Sequence, residues 1–116
     1  MEEIQVKQVV LNGEKTHYFI FSNGDLYNAK THRISTGAKN HGYIRYTLTI
    51  NDKDISIFKH QLLAQNFIFN VDPEHKTVVH HKDGCPQNNS LDNLEWTTQK
   101  VNCEKRVNIN EHKIVE

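Results

Sequence analysis

Apolar and polar residues alternate along the first half of the chain. In Gly42–Ile50, Ile44, Tyr46, Leu48 and Ile50 fall on one side of an extended backbone, and Tyr43, Arg45, Thr47 and Thr49 on the other. A period of two predicts a strand with one buried face. Asn12-Gly13 separates Ile4–Leu11 from Thr16–Phe21, and Asn23-Gly24 separates that run from Asp25–Ala29. Asn-Gly between apolar-rich runs predicts tight hairpins in which both central residues take positive φ. Asn51-Asp52 marks a further turn, into Lys53–Phe58. The expectation for residues 1–58 is an antiparallel β-meander with one buried face.

The period then changes. His60, Leu63, Ala64, Phe67 and Ile68 recur at the spacing of one helical face. The stretch from Asn70 to Glu74, with Pro73, ends that helix. Thr77-Val78-Val79 is short and β-branched, Lys82 to Asp92 is a polar loop, and Leu94–Thr97 reads as a brief strand. Thr97 or Thr98 is placed to cap a final helix running to about Val107, with residues 108–116 as a tail. The predicted architecture is a single α+β domain of residues 1–116: a β-rich leader (1–58), then a helix and a ββα unit (59–107).

The chemistry concentrates in that second half. His80-His81-Lys82-Asp83-Gly84 is followed by Asn88-Asn89, by Asp92-Asn93-Leu94-Glu95-Trp96, and by Asn102. If the strand stays extended, His80 and His81 point to opposite sides, so one can face a metal and the other a water. An imidazole titrates near neutrality, which suits proton abstraction from water.

This order and spacing resembles the HNH (ββα-metal) endonucleases. Residues 59–106 are similar to the HNH homing endonucleases of phages and introns, with a His-Leu-containing helix ahead of the His-Lys-Asp-Gly loop. Phe21–Asn28 and Asn40-His41-Gly42-Tyr43 are similar to the β-rich leader of that group. The resemblance implies a DNA endonuclease that hydrolyses phosphodiester bonds, leaving 3′-hydroxyl and 5′-phosphate ends. His81 would be the general base. Asn93 would be the motif's middle residue, holding the loop and so fixing His81. His80 and Asn102 would hold one divalent metal ion. Homing relatives often carry an acid or amide where His80 stands, and colicin-like nucleases a His pair. Imidazole accepts Mn²⁺, Ni²⁺ or Zn²⁺ more readily than Mg²⁺, which prefers oxygen, although Mg²⁺ and Mn²⁺ are the ions expected. Arg106, one turn past Asn102, and Lys82 in the loop would meet phosphate. Homing relatives often add a C-terminal recognition module. Only ten residues follow Arg106, so none is expected.

Composition bounds the alternatives. With 116 residues, 14 Lys and Arg against 14 Asp and Glu, the net charge is zero, unusual for a nucleic-acid enzyme. The balance is uneven, however. No acid lies between Asp25 and Asp52, where Lys30, Arg33, Lys39 and Arg45 stand. They form a candidate phosphate-contacting region, or else a solvated charged face. No run is long enough for a membrane span, and the polar N-terminus is not a signal peptide. Cys85 and Cys103 match no common zinc spacing. The partner expected is DNA, in the cytoplasm of a bacterial or phage-infected cell, for a monomer or homodimer. The alternative is a catalytically silent DNA-binding module or accessory subunit. Trp96 and Leu94 are expected in the core, His60 as a satisfied structural histidine, and His75 as a surface loop residue.

Overall fold

The computed structural model describes residues 3–99. Seven strands come first: β1 (Val6–Leu11), β2 (Glu14–Phe21), β3 (Leu26–Asn28), β4 (Arg33–Ser35), β5 (Ala38–Asn40), β6 (Tyr43–Ile50) and β7 (Lys53–Phe58). Helix α1 (Lys59–Phe67) follows, then β8 (Val78–His81), a single 3₁₀ turn (Leu91–Asn93) and β9 (Leu94–Thr97). The expected final helix, with Asn102 and Arg106, lies outside the described residues. Thr97 closes β9.

The meander is present but divided. β1 to β4 form one antiparallel sheet in sequence order, β5 to β7 a second, and β8 with β9 a two-stranded hairpin. The expectation of a single sheet missed β4 and β5. Each has only three residues, too few for alternation to register.

The turns follow the backbone preferences of their residues. Asn12 (φ 53°) and Gly13 (φ 80°) are both left-handed, as a two-residue hairpin turn requires. Asn51 (φ 53°) and Asp52 (φ 65°) do the same without glycine, because Asn and Asp tolerate this region best among side-chain-bearing residues. At Asn23-Gly24 the expectation fails by one residue, since only Gly24 has positive φ (100°). The Asn23 side chain instead accepts the Asp25 N–H at 3.1 Å, an Asx turn that removes the need for a second left-handed residue.

The alternation in β6 places its faces as expected, with Tyr46 and Leu48 buried and Tyr43, Arg45, Thr47 and Thr49 exposed. The core comprises Val9, Tyr18, Ile20, Leu26, Tyr46, Leu48, Leu62, Leu63, Ala64, Val79 and Leu94. Two tyrosine hydroxyls join the first two sheets. Tyr46 donates to the Gly24 carbonyl, and Tyr18 accepts the Thr49 N–H at 2.8 Å. Each ring is buried while its polar end finds a partner. Between β1 and β2 the register shifts next to Val9. There the Thr16 hydroxyl donates to the Val9 carbonyl at 2.8 Å, supplying a bond the interrupted ladder lacks.

Helix α1 touches β2, β6, β7, β8 and β9. It is therefore the piece on which the β8–β9 hairpin and the leader are both seated. Trp96, partly buried against the core as expected, donates its indole N–H to the Ile68 carbonyl just past α1 at 3.0 Å. This ties β9 to the helix end. No helix among the described residues is long and apolar enough to cross a membrane.

Candidate active site

The β8–β9 hairpin pairs His80 with Glu95 and His81 with Leu94. Residues opposite one another share a face, so His81 turns with Leu94 toward the core, and His80 turns the other way, on the face of Glu95. The two histidines point apart, as the extended strand requires. His81 is 7% exposed, while His80 is half-buried.

The loop between the strands is closed by polar bonds. Its ends meet where the Lys82 N–H donates to the Asn93 carbonyl at 2.8 Å. Asp83 is the hub, a role that its place in the His-His-Lys-Asp-Gly run does not reveal. Its Oδ1 accepts the Cys85 N–H at 2.8 Å and the Asn93 amide at 3.0 Å, and its Oδ2 accepts the Asn88 amide at 2.8 Å. Asn93 returns the contact, its Oδ1 accepting the Asp83 N–H at 3.1 Å, and its amide also reaches the Asn88 carbonyl at 2.8 Å. Hydrogen bonds from Asn88, Cys85 and Asn93 favour the carboxylate and hold the Asp83 pKa down at about 2. Asn93 thus has the geometry of a loop brace.

His81 sits against this loop and against α1. Its Nε2 lies 2.8 Å from the Asn89 side-chain oxygen. Its ring centroid is 4.7 Å from that of His60 and 6.3 Å from that of Tyr43. His60 in turn stacks on Phe58 at 5.5 Å and meets Tyr43 at 5.7 Å. Two rings, His60 and Tyr43, therefore close one side of His81, with Phe58 packed behind them.

The expectation of a satisfied His60 is corrected here. His60 is buried, but its Nδ1 has no partner among the described residues. Burial, and then the nearby His81, lower its pKa to about 4, so it is neutral at physiological pH. Helical spacing placed it on the apolar face but said nothing of the imidazole it would meet.

The span of this site is the span that known proteins share. The sequence profile of HNH endonucleases matches residues 58–103. That match places an HNH endonuclease module in the second half of the chain. The chain is 33% identical over 105 residues to an uncharacterized HNH endonuclease, L247, of Acanthamoeba polyphaga mimivirus, covering 90% of this chain and 26% of that protein. It is 33% identical over 98 residues to the DNA endonuclease I-HmuI of Bacillus phage SP01, covering 84% of this chain and 55% of that protein. A solved structure described as DNA binding and cleavage by the HNH homing endonuclease I-HmuI superposes with a TM-score of 0.77 at 29% identity. That match covers 95% of this chain and 62% of the other. The chain thus spans between a quarter and just over half the length of these curated relatives.

The remaining expected residues are more scattered. Among the described residues no group of three His, Cys, Asp or Glu is gathered for a metal, and Asn102 lies beyond them. Cys85 is exposed in the loop. Lys82 is exposed beside His81. The four leader cations do not share one face. Arg45 stands opposite Ala38 and Lys39 opposite Ile44, so these two project from opposite sides of the β5–β6 pair. Arg33 belongs to the other sheet, on β4, and Lys30 to the turn before it. His75, expected at the surface, is exposed and bonded to Asp72 at 3.0 Å.

Proposed function

We propose that the chain is a metal-dependent DNA endonuclease of the phage or mobile-element type, with His81 as its general base. The observation that carries this reading is the placement of His81 within the HNH-matched span. It is a buried imidazole at the end of β8, held by an amide and backed by rings, beside a loop braced by Asp83 and Asn93. A fixed base needs such a mounting, since misplacement of a reacting group by about 1 Å costs on the order of 10²-fold in rate.

His81 takes a proton from a water whose oxygen attacks the scissile phosphorus. The bond from phosphorus to the 3′ oxygen breaks, and the departing oxygen takes a proton from solvent, leaving a 5′-phosphate and a 3′-hydroxyl. Asn93 keeps the loop, and through it His81, in register. On the opposite face of β8, the half-buried His80 offers an imidazole nitrogen, a donor that a divalent cation accepts. His80 and Asn102 would hold that cation, which when bound supplies positive charge against the phosphate and the leaving oxygen. Arg45 lies on the outward face of β6 with Tyr43, whose ring reaches His81. That face leads to the site, so Arg45 is proposed to meet phosphate there with Lys82 and Arg106, while Lys39, Arg33 and Lys30, on other faces, are proposed to reach flanking phosphates only.

The test is supercoiled plasmid incubated with the purified chain and Mg²⁺, Mn²⁺ or Ni²⁺, with and without EDTA. Open circles formed only with metal are the expected outcome, with Mn²⁺ or Ni²⁺ at least as effective as Mg²⁺. Undiminished cutting in EDTA would remove the metal from the proposal. DNA binding without cutting under any of the three ions would favour a silent binding module.

A further inference from the structure

We propose that Asn89 is the positioning residue of the site. By accepting the Nε2–H of His81 it selects the imidazole tautomer whose free lone pair is on Nδ1. This rests on the reading of His81 as the base. Asn88-Asn89 belongs to the motif in sequence, yet the two residues play different parts. Asn88 is consumed by the loop, donating to Asp83 and accepting the Ser90 N–H. Asn89 turns inward and makes one side-chain bond, its Oδ1 lying 2.8 Å from His81 Nε2.

The chemistry of the two groups sets the consequence. A neutral imidazole carries one N–H and one lone pair, and the hydrogen bond made by one nitrogen decides what the other offers. An amide oxygen accepts only, so the proton resides on Nε2 and the basic lone pair on Nδ1. With His60 and Tyr43 packed against the ring, rotation is also restricted. When Nδ1 takes the proton from water, the imidazole becomes a cation, and the existing Nε2–H bond to Asn89 becomes charge-assisted and stronger. The interaction therefore favours the transition state over the ground state. The Asn89 Nδ2 is buried without a partner in the described residues. An amide kept there at that cost is placed for its oxygen.

The decisive measurement is ¹⁵N-resolved NMR of the imidazoles in the whole metal-free chain near neutral pH, with His81 assigned by comparison with His81→Ala. The wild type should show a protonated Nε2 and a bare Nδ1, and Asn89→Leu should show a mixture of tautomers. In plasmid nicking, Asn89→Leu should lower kcat by about 10- to 100-fold, part of what a general base contributes, with KM for DNA unchanged. Asn89→Asp keeps the accepting oxygen and should recover most of the rate and the single tautomer. A wild-type His81 protonated on Nδ1 would overturn the proposal, as would an Asn89→Leu protein with unchanged kcat. The NMR arm needs no activity. A wild type that shows the expected tautomer yet cuts nothing would count against the nuclease reading and not against the Asn89 bond.

Discussion

The leader and the loop at 82–93 are held together by opposite means. In the leader, Tyr46, Leu48, Ile20 and Val9 are at most 1% exposed, and hydrogen bonds such as Tyr18 to Thr49 are set within that apolar packing. In the loop, Asp83 and Cys85 are exposed and Asn88 and Asn93 partly buried, and shape comes from amide and carboxylate bonds around a single residue. Apolar packing is non-directional and adds up over area. Hydrogen bonds in contact with water contribute little net energy but specify angles. Stability therefore belongs mainly to the leader and α1, and orientation of the proposed base, His81, to the loop. The junction between them is the contact of His60, on α1, with His81, on β8.

Two substitutions should separate these roles. His81→Ala should lower plasmid cutting by about 10²- to 10⁴-fold, the usual contribution of a general base. It removes a buried ring and its bond to Asn89, so some stability is lost, but the loop hub and the apolar core are untouched and the urea midpoint should move less than in Leu48→Ala. Leu48→Ala should do the reverse, costing about 2–5 kcal/mol of stability through a cavity between the sheets. The protein that remains folded should cut at a near-normal rate. If His81→Ala shifts the unfolding midpoint as much as Leu48→Ala does, the division between mounting and chemistry is wrong.

Acid should strike the two regions in a definite order. His60 has its pKa lowered from 6.5 to about 4. The unfolded chain therefore binds a proton there that the folded chain refuses, and stability is lost as pH falls from about 6.5 to about 4, by at most about 3 kcal/mol. Asp83, lowered from 3.8 to about 2, contributes above its unfolded value and fails only as pH falls through about 2. The core junction should weaken before the exposed loop hub does. Urea titrations at pH 7, 5 and 4 check this, and His60→Leu should flatten the dependence. An equal loss in His60→Leu would assign the effect to other groups.

The same contrast explains what could be read in advance. Alternation revealed β6, and Asn12-Gly13 its hairpin, because burial and left-handed φ leave marks in local residue type. The loop between His81 and Asn93 is legible from their spacing because Asn93 braces it by bonds within the loop itself. The division into two sheets left no such mark, since β4 and β5 are each three residues long and stand on either side of Thr36-Gly37. The Asp83 hub and the His81–Asn89 bond join residues up to ten apart, a closure that periodicity does not describe. The His60–His81 contact depends on where α1 lies against β8, which is tertiary information.

The smallest expected effect tests whether the leader also takes part in recognition. Uniform spread of charge would make Lys30, Arg33, Lys39 and Arg45 equivalent, but the sheet register makes them unequal. Arg45 shares the outward face of β6 with Tyr43, whose ring is 6.3 Å from His81, and Lys39 projects from the other side of that pair. Arg45→Gln should therefore lower DNA affinity and reduce the slope of log K against log salt by about one unit, as expected for one lost phosphate contact. Lys39→Gln should change that slope by less. Fluorescence anisotropy of a labelled duplex over a salt series measures both. Equal slopes for the two variants would mean that the register does not decide which cation meets DNA. An unchanged slope for Arg45→Gln would confine recognition to the half of the chain that carries His81.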